Sequence, residues 1–252
     1  MIFDIVTLVP EMFAGAFTTS ILGSACRDGL ITVNLHNFRE QATDRHHTVD
    51  DTPYGGGPGM VLRPPPLATR LQQLRAQSPL GPVIFLTPQG VPLRHGVVRS
   101  LARFPRLTLV AGRYEGFDDR LLSQADLELS VGDYVLTGGE FAAMVVVDAV
   151  ARMVPGVVGT AASVVEDSFF GDRLDHPQYT RPQTWQDRDI PAVLRGGNHR
   201  DILAWRTGRA MVRTAVRRPD LLRRRTTGSE ERTCLQHALR PANAAETTQA
   251  KP

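Results

Sequence analysis

Asp167 and Arg152 are the two residues whose types most directly allow chemistry. A carboxylate can take a proton as a general base, and a guanidinium can offset negative charge on a carbonyl oxygen. Arg152 lies near the end of an apolar run, and Asp167 sits in Glu166-Asp167-Ser168-Phe169-Phe170. Residue type alone does not select them. A helix arginine is most often a snorkelling surface residue, and an aspartate before a serine is most often a cap or turn.

The most unusual segment is Asp44-Arg45-His46-His47-Thr48-Val49-Asp50-Asp51-Thr52-Pro53-Tyr54-Gly55-Gly56-Gly57-Pro58-Gly59-Met60. Its glycines let backbone N–H groups approach a ligand closely. A P-loop is excluded, because it requires Gly-Lys-Ser/Thr and the chain's one lysine is Lys251. A dinucleotide fingerprint fails as well, since Met60 stands where its last glycine belongs. Glycines alone are compatible with a structural turn. A turn does not account for Arg, His, Asp and Tyr crowding the same loop, a mixture suited to gripping a polar substrate.

Three further loops each follow a strand-like run: Leu86-Thr87-Pro88-Gln89-Gly90, Gly112-Arg113-Tyr114-Glu115-Gly116, and Ser130-Val131-Gly132-Asp133-Tyr134-Val135-Leu136-Thr137-Gly138-Gly139-Glu140. In parallel sheets, ligands bind just past the carboxyl ends of strands. Each loop alone reads as a turn. Together they are expected to line one pocket of backbone amides and carbonyls that suits an adenine ring.

The elements that must carry these loops alternate between strand and helix. Strands are expected at Phe3–Val9, Leu30–Phe38, Val83–Leu86 and Leu107–Val110, with Leu127–Leu136 extended. Helices are expected at Glu11–Arg27, Leu67–Ala76, Leu93–Phe104, Phe117–Gln124 and Glu140–Val154. This alternation predicts an α/β fold with a mostly parallel sheet and helices on both faces. After Pro155 the pattern changes. The boundaries read as an α/β domain over 1–160, a flexible linker or lid over 161–177, a basic helical domain over 178–240 and a disordered tail over 241–252. Within the third of these, Asn198–Arg217 reads as an arginine-bearing helix, and Ser229-Glu230-Glu231 opens a last short one.

The chain has 252 residues, 42% of them apolar, which is enough to bury a core and excludes wholesale disorder. Net charge is +3, unevenly spread: residues 1–175 carry 14 Arg against 19 Asp and Glu, whereas residues 176–240 carry 14 Arg against 6. A basic C-terminal third points to a polyanion partner, or else to a solvated helical surface in an arginine-biased chain. Cys26 and Cys234 fit neither a disulfide framework nor a zinc spacing. The first ten residues read as a strand, not a signal peptide, and no apolar run reaches the ~20 residues of a membrane span. A soluble cytoplasmic protein is expected.

Taken in order, these motifs resemble the bacterial tRNA (guanine-N1)-methyltransferase family TrmD. The match runs through Thr48–Met60, Gly112–Gly116, Gly132–Glu140, Glu166–Phe169, His176-Pro177-x-Tyr179-Thr180-Arg181-Pro182 and Gly197-Asn198-His199, and covers Phe3 to about Leu222. It departs at His47, where the family pattern has arginine, and at Phe141-Ala142-Ala143. The resemblance implies a SPOUT-type α/β fold with a deep trefoil knot, a small C-terminal helical domain and a homodimer. It implies S-adenosylmethionine held by Leu86, Gly112, Val131, Gly132, Asp133, Tyr134, Val135, Leu136, Gly138 and Gly139. It implies Asp167 as the base at guanine N1 and Arg152 at O6. Arg45, His46, Asp50, Tyr54, Gly57 and Glu115 would contact the tRNA, whose target is the guanosine 3′ of the anticodon, position 37. It also implies magnesium dependence, for which the sequence shows no ligand spacing.

Overall fold

The computed structural model describes residues 1–79, 81–159 and 167–223, which fall into two compact units divided between residues 164 and 165. In the first unit, strands β1 (Ile2–Thr7), β2 (Thr32–Asn37), β5 (Val83–Pro92), β6 (Arg106–Ala111) and β7 (Leu127–Ser130) form one sheet. Their order is β2-β1-β6-β5-β7, and every neighbouring pair is parallel. A short antiparallel ribbon, β3 (Asp50–Asp51) with β4 (Val61–Leu62), carries the glycine-rich loop between its strands.

Both faces of the sheet are covered, as its near-continuous apolar strands require. Alternate side chains of β1 enter different cores. Phe3 and Ile5 pack with α1 (Ser20–Arg27), α3 (His95–Leu101) and α4 (Gly139–Ala151). Val6 packs on the other face with Leu67, Leu71 and Leu74 of α2 (Pro64–Gln77). Pro64 and Pro65 suit the start of α2, where a missing N–H costs nothing.

Asp4, in the middle of β1, is buried yet charged. It accepts from Asn34 Nδ2 at 3.0 Å, lies 2.9 Å from His36 Nε2, and pairs with Arg106 Nε at 2.9 Å. Burial pushes its carboxyl up, but these hydrogen bonds and the Arg106 charge outweigh that and hold it below its ordinary value.

Several element boundaries differ from the sequence reading. The expected helix Glu11–Arg27 is a 3₁₀ turn at Pro10–Phe13 followed by α1, with turns between. A Cβ on Gly23 would collide with the Thr18 backbone, so α1 folds back tightly on the turn that precedes it. Asp119–Gln124 is 3₁₀ rather than α-helical. β5 continues to Pro92 through a register shift after Leu86, and β7 ends at Ser130, leaving 131–138 as loop.

The second unit is built on α5 (His199–Arg217), capped by the Asn198 side chain accepting from Arg200 N, and followed by α6 (Pro219–Leu222). A hairpin of β8 (Thr184–Trp185) and β9 (Arg188–Asp189) precedes them. Residues 161–166, the expected helix at Ser229 and the expected tail 241–252 lie outside the described residues. The described part of the expected lid, 167–177, is fastened to α5. Leu174 N donates to Thr214 Oγ1 at 2.9 Å, and Arg213 donates to the carbonyls of Asp175 and His176 at 3.3 Å each. Among the described residues no helix is long and apolar enough to cross a membrane.

Candidate active site

The loops that follow β5, β6 and β7 meet at one end of the sheet around a cavity of about 340 Å³. That volume falls within the range of small-molecule sites, about 300–1,000 Å³. The position follows from strand order. β6 inserts between β1 and β5, and the chain then steps back over β5 to β7, so these carboxyl ends converge where the winding reverses.

Of the residues expected to hold a donor, Leu86, Gly112, Val131, Gly132, Tyr134, Val135, Leu136, Gly138 and Gly139 all line this cavity. Asp133 is exposed and lies outside the lining. Five of the lining residues are glycines, Gly112, Gly116, Gly132, Gly138 and Gly139, which bring main chain to the wall. Gly139 N donates to Gly112 O at 2.7 Å, and a Cβ at position 139 would lie 2.8 Å from Ala111 Cα. Only glycine allows the start of α4 to approach β6 this closely.

Beneath the wall is a buried ionic contact. Glu140 is 0% exposed; its Oε1 accepts from Arg113 Nε at 3.0 Å and from Thr7 Oγ1 at 2.9 Å. Among the described residues Glu140 Oε2 has no hydrogen-bond partner, and it lies directly against Gly138. Arg113 itself lines the cavity and reaches Met12 Sδ with Nη2 at 2.9 Å. In the sequence Glu140 ends the third loop motif and opens a helix, and nothing there points to its contacts with Arg113 and Thr7. The available signal is a carboxylate in the first turn of a mostly apolar helix.

The expected substrate loop joins the cavity through Glu115, which lines it. Glu115 N donates to Met60 O and Leu62 N to Gly116 O, both at 2.9 Å, so the β3–β4 ribbon is docked on the loop after β6. Gly59, at φ +81°, has the Glu115 side chain lying where its Cβ would be. Asp50 and Gly57 belong to this ribbon and its loop, with Gly57 at φ +120°. Tyr54 is fully exposed at the loop tip and lies outside the cavity wall. Arg45 and His46 are exposed on the preceding turn. Asp44 shapes that turn, accepting from Thr48 Oγ1 at 2.9 Å and His46 N at 3.0 Å; the Thr48 bond leads in holding its carboxyl below its ordinary value.

Arg152 caps the C-terminus of α4 in the first unit, its N–H donating to Asp148 O at 3.2 Å. Asp167 opens the described part of the second unit; its carbonyl accepts from Phe170 N at 3.3 Å in a turn closed by Asp175 N on Ser168 Oγ at 3.0 Å. Among the described residues no group of three or more His, Cys, Asp or Glu side chains is placed to hold a metal ion.

Comparison with known proteins accords with this geometry. The family described as tRNA (Guanine-1)-methyltransferase TrmD matches residues 1–224. A tRNA (guanine-N(1)-)-methyltransferase of Syntrophotalea carbinolica is 47% identical over 246 residues, covering 98% of this chain and 100% of the relative. Proteins of the same name from Chloroflexus aurantiacus and Chloroflexus aggregans are 54% and 52% identical over 226 residues, covering 89% of this chain and 89% and 88% of theirs. With a family match across 224 of 252 residues and relatives near half identity, the chain belongs to the tRNA (guanine-N1)-methyltransferase family TrmD.

Proposed function

We propose that the protein transfers a methyl group from S-adenosylmethionine to N1 of the guanosine at position 37 of tRNA, immediately 3′ of the anticodon. The observation that carries this reading is the junction at Glu115. There a cavity with five glycines in its lining meets a glycine-rich ribbon bearing polar side chains, in a chain of the TrmD family.

The cavity suits the donor: its volume is adequate, and its lining joins five glycines, where main chain can meet an adenine ring, to apolar and aromatic side chains such as Leu86, Phe117 and Leu136. Leu86, Gly112, Val131, Gly132, Tyr134, Val135, Leu136, Gly138 and Gly139 would hold it, with Asp133 beside them on the loop. When bound, the donor supplies an electrophilic sulfonium methyl.

Guanine N1 carries a proton and is a poor nucleophile until that proton leaves. In this reading Asp167 accepts it, and Arg152 offsets the charge that then develops on O6. The substrate loop, with Arg45, His46, Asp50, Tyr54, Gly57 and Glu115, holds the splayed-out base and its neighbours. The arginines of the second unit hold phosphates of the anticodon arm. The magnesium dependence that the family resemblance implies stays part of this reading, with no residue of the chain assigned to the ion.

The reading extends to assembly and place. α4 leaves Phe141 and Val145 49% and 48% exposed on one face, and Val135 in the adjoining loop is 84% exposed. Such an apolar surface suits a homodimer built across α4. A SPOUT-type trefoil knot in the loops after β5 to β7, a small C-terminal helical domain and a cytoplasmic location complete it.

The test is to map the labelled methyl group on tRNA transcripts carrying guanosine or adenosine at position 37. Transfer to N1 of the guanosine transcript alone is expected. Label at another nucleotide, or none in tRNA, overturns the reading.

A further inference from the structure

The second unit has a smaller hollow of its own, about 200 Å³, lined in part by His176, Tyr179, Leu194, Ile202, Trp205 and Arg206. The His176 and Tyr179 rings have centroids 6.3 and 6.1 Å from that of Trp205 and are tilted to it by 59° and 55°. These separations lie inside the range of aromatic contact, yet the rings are splayed rather than stacked on one another. Tyr179 is about half exposed, and Leu194 and Ile202 supply an apolar wall.

The rim is cationic. Arg206 lines the hollow, and the Arg209 guanidinium stands 5.9 Å from the Trp205 ring centroid. Residues 167–223 carry 11 Arg against 7 Asp and Glu. Among the described residues no carboxylate belongs to its lining; Asp175, which precedes His176, is occupied by His176 N at 2.6 Å and Gln178 Nε2 at 2.9 Å. It is also preformed: the segment bearing His176 is fixed to α5 by the Arg213 bonds to two consecutive carbonyls.

We infer that this hollow is a second RNA subsite, seating one unpaired nucleobase of the tRNA between the splayed rings, with Arg206 on an adjoining phosphate. Three features set the occupant. The hollow is smaller than sites that enclose a whole drug-sized ligand and suits a single planar ring system. Its walls offer π-faces with few fixed acceptors, the pattern of sequence-tolerant base stacking. Its rim carries the charge that a phosphate backbone matches. The donor cavity is in the first unit and this hollow in the second, so the base it holds is a second one, distinct from the base proposed for methylation. The inference rests on the RNA-methylating function proposed above.

Trp185 and Trp205 are the chain's two tryptophans, and Trp185 lies exposed on the β8–β9 hairpin, outside the hollow. In Trp185→Phe protein, Trp205 therefore reports alone. Its emission should be quenched saturably as tRNA is added, in step with filter binding of the same samples. Tyr179→Ala and Trp205→Leu should each raise KM for tRNA about tenfold while leaving kcat and donor affinity near those of the unaltered protein, and Trp205→Phe should restore KM. Unchanged Trp205 emission at full tRNA occupancy overturns the subsite and leaves the methylation reading standing; it is also what an apolar peptide as the true occupant predicts. Unchanged KM in Tyr179→Ala overturns it equally. If the unaltered protein methylates no tRNA, the subsite and the function fall together.

Discussion

The Arg113 guanidinium donates through Nε to Glu140 Oε1 at 3.0 Å, tying the loop after β6 to the first turn of α4 beneath the cavity. The carboxylate is fully buried and the arginine three-quarters so, which makes this a contact that is costly to break from one side. Glu140→Gln keeps the shape and removes the charge. It should weaken donor affinity about tenfold by calorimetry, because Arg113 lines the cavity and loses the partner that orients it. Glu140→Ala should also destabilise the fold by about 3–5 kcal/mol in urea unfolding. Unaltered donor affinity in Glu140→Gln would remove the link between this contact and the site.

Asp167→Asn should reduce single-turnover methyl transfer by about 10²- to 10⁴-fold, the usual contribution of a general base, with donor binding unchanged. Arg152→Ala should slow transfer by about 10²-fold or more, as expected for loss of a group stabilising an oxyanion. Full turnover in either variant would discard that residue's assigned role.

The Asp4 cluster makes a prediction about acid. The carboxyl is held below its ordinary value in the folded chain, so its contribution is present above the unfolded value of about 3.9. That contribution is lost as pH falls through the lower folded value. The unaltered protein should therefore lose stability below about pH 4 more steeply than Asp4→Asn. At neutral pH Asp4→Asn should be the less stable of the two by about 3 kcal/mol, since Arg106 loses its counter-charge. Parallel pH profiles for the two proteins, by thermal melting, would contradict this.

Phe141 and Val145 stand one helical turn apart on α4, so charge placed on both strikes a single face. In sedimentation, the unaltered protein should run as a dimer, and a Phe141→Glu, Val145→Glu double variant as a monomer with reduced turnover. A monomeric unaltered protein would remove the proposed dimer face.

The five sheet strands and the loops after three of them were legible because buried parallel strands are short apolar runs punctuated by glycine, as in Leu107–Gly112. Strand order was not legible, since nothing local in β6 says that it inserts between β1 and β5. The single helix expected over Glu11–Arg27 failed because Gly15, Thr18 and Thr19 favour turns. Thr18 and Thr19 in fact bond back to the carbonyls of Ala14 and Gly15. The Arg113–Glu140 contact joins residues 27 apart, and the Thr7–Glu140 bond residues 133 apart, separations that no spacing argument reaches. The hairpin at Thr184–Asp189 has two-residue strands, too short for any alternation to register.

The glycines in the cavity lining have a bearing on inhibitors. A competing molecule that bonds to N–H and C=O groups meets partners that are the same whichever residue stands there, so exchanging side chains leaves them in place. At those contacts, resistance comes from bending the chain itself. At Gly139, where even a methyl group would strike the neighbouring strand, that route damages the enzyme before it excludes the drug.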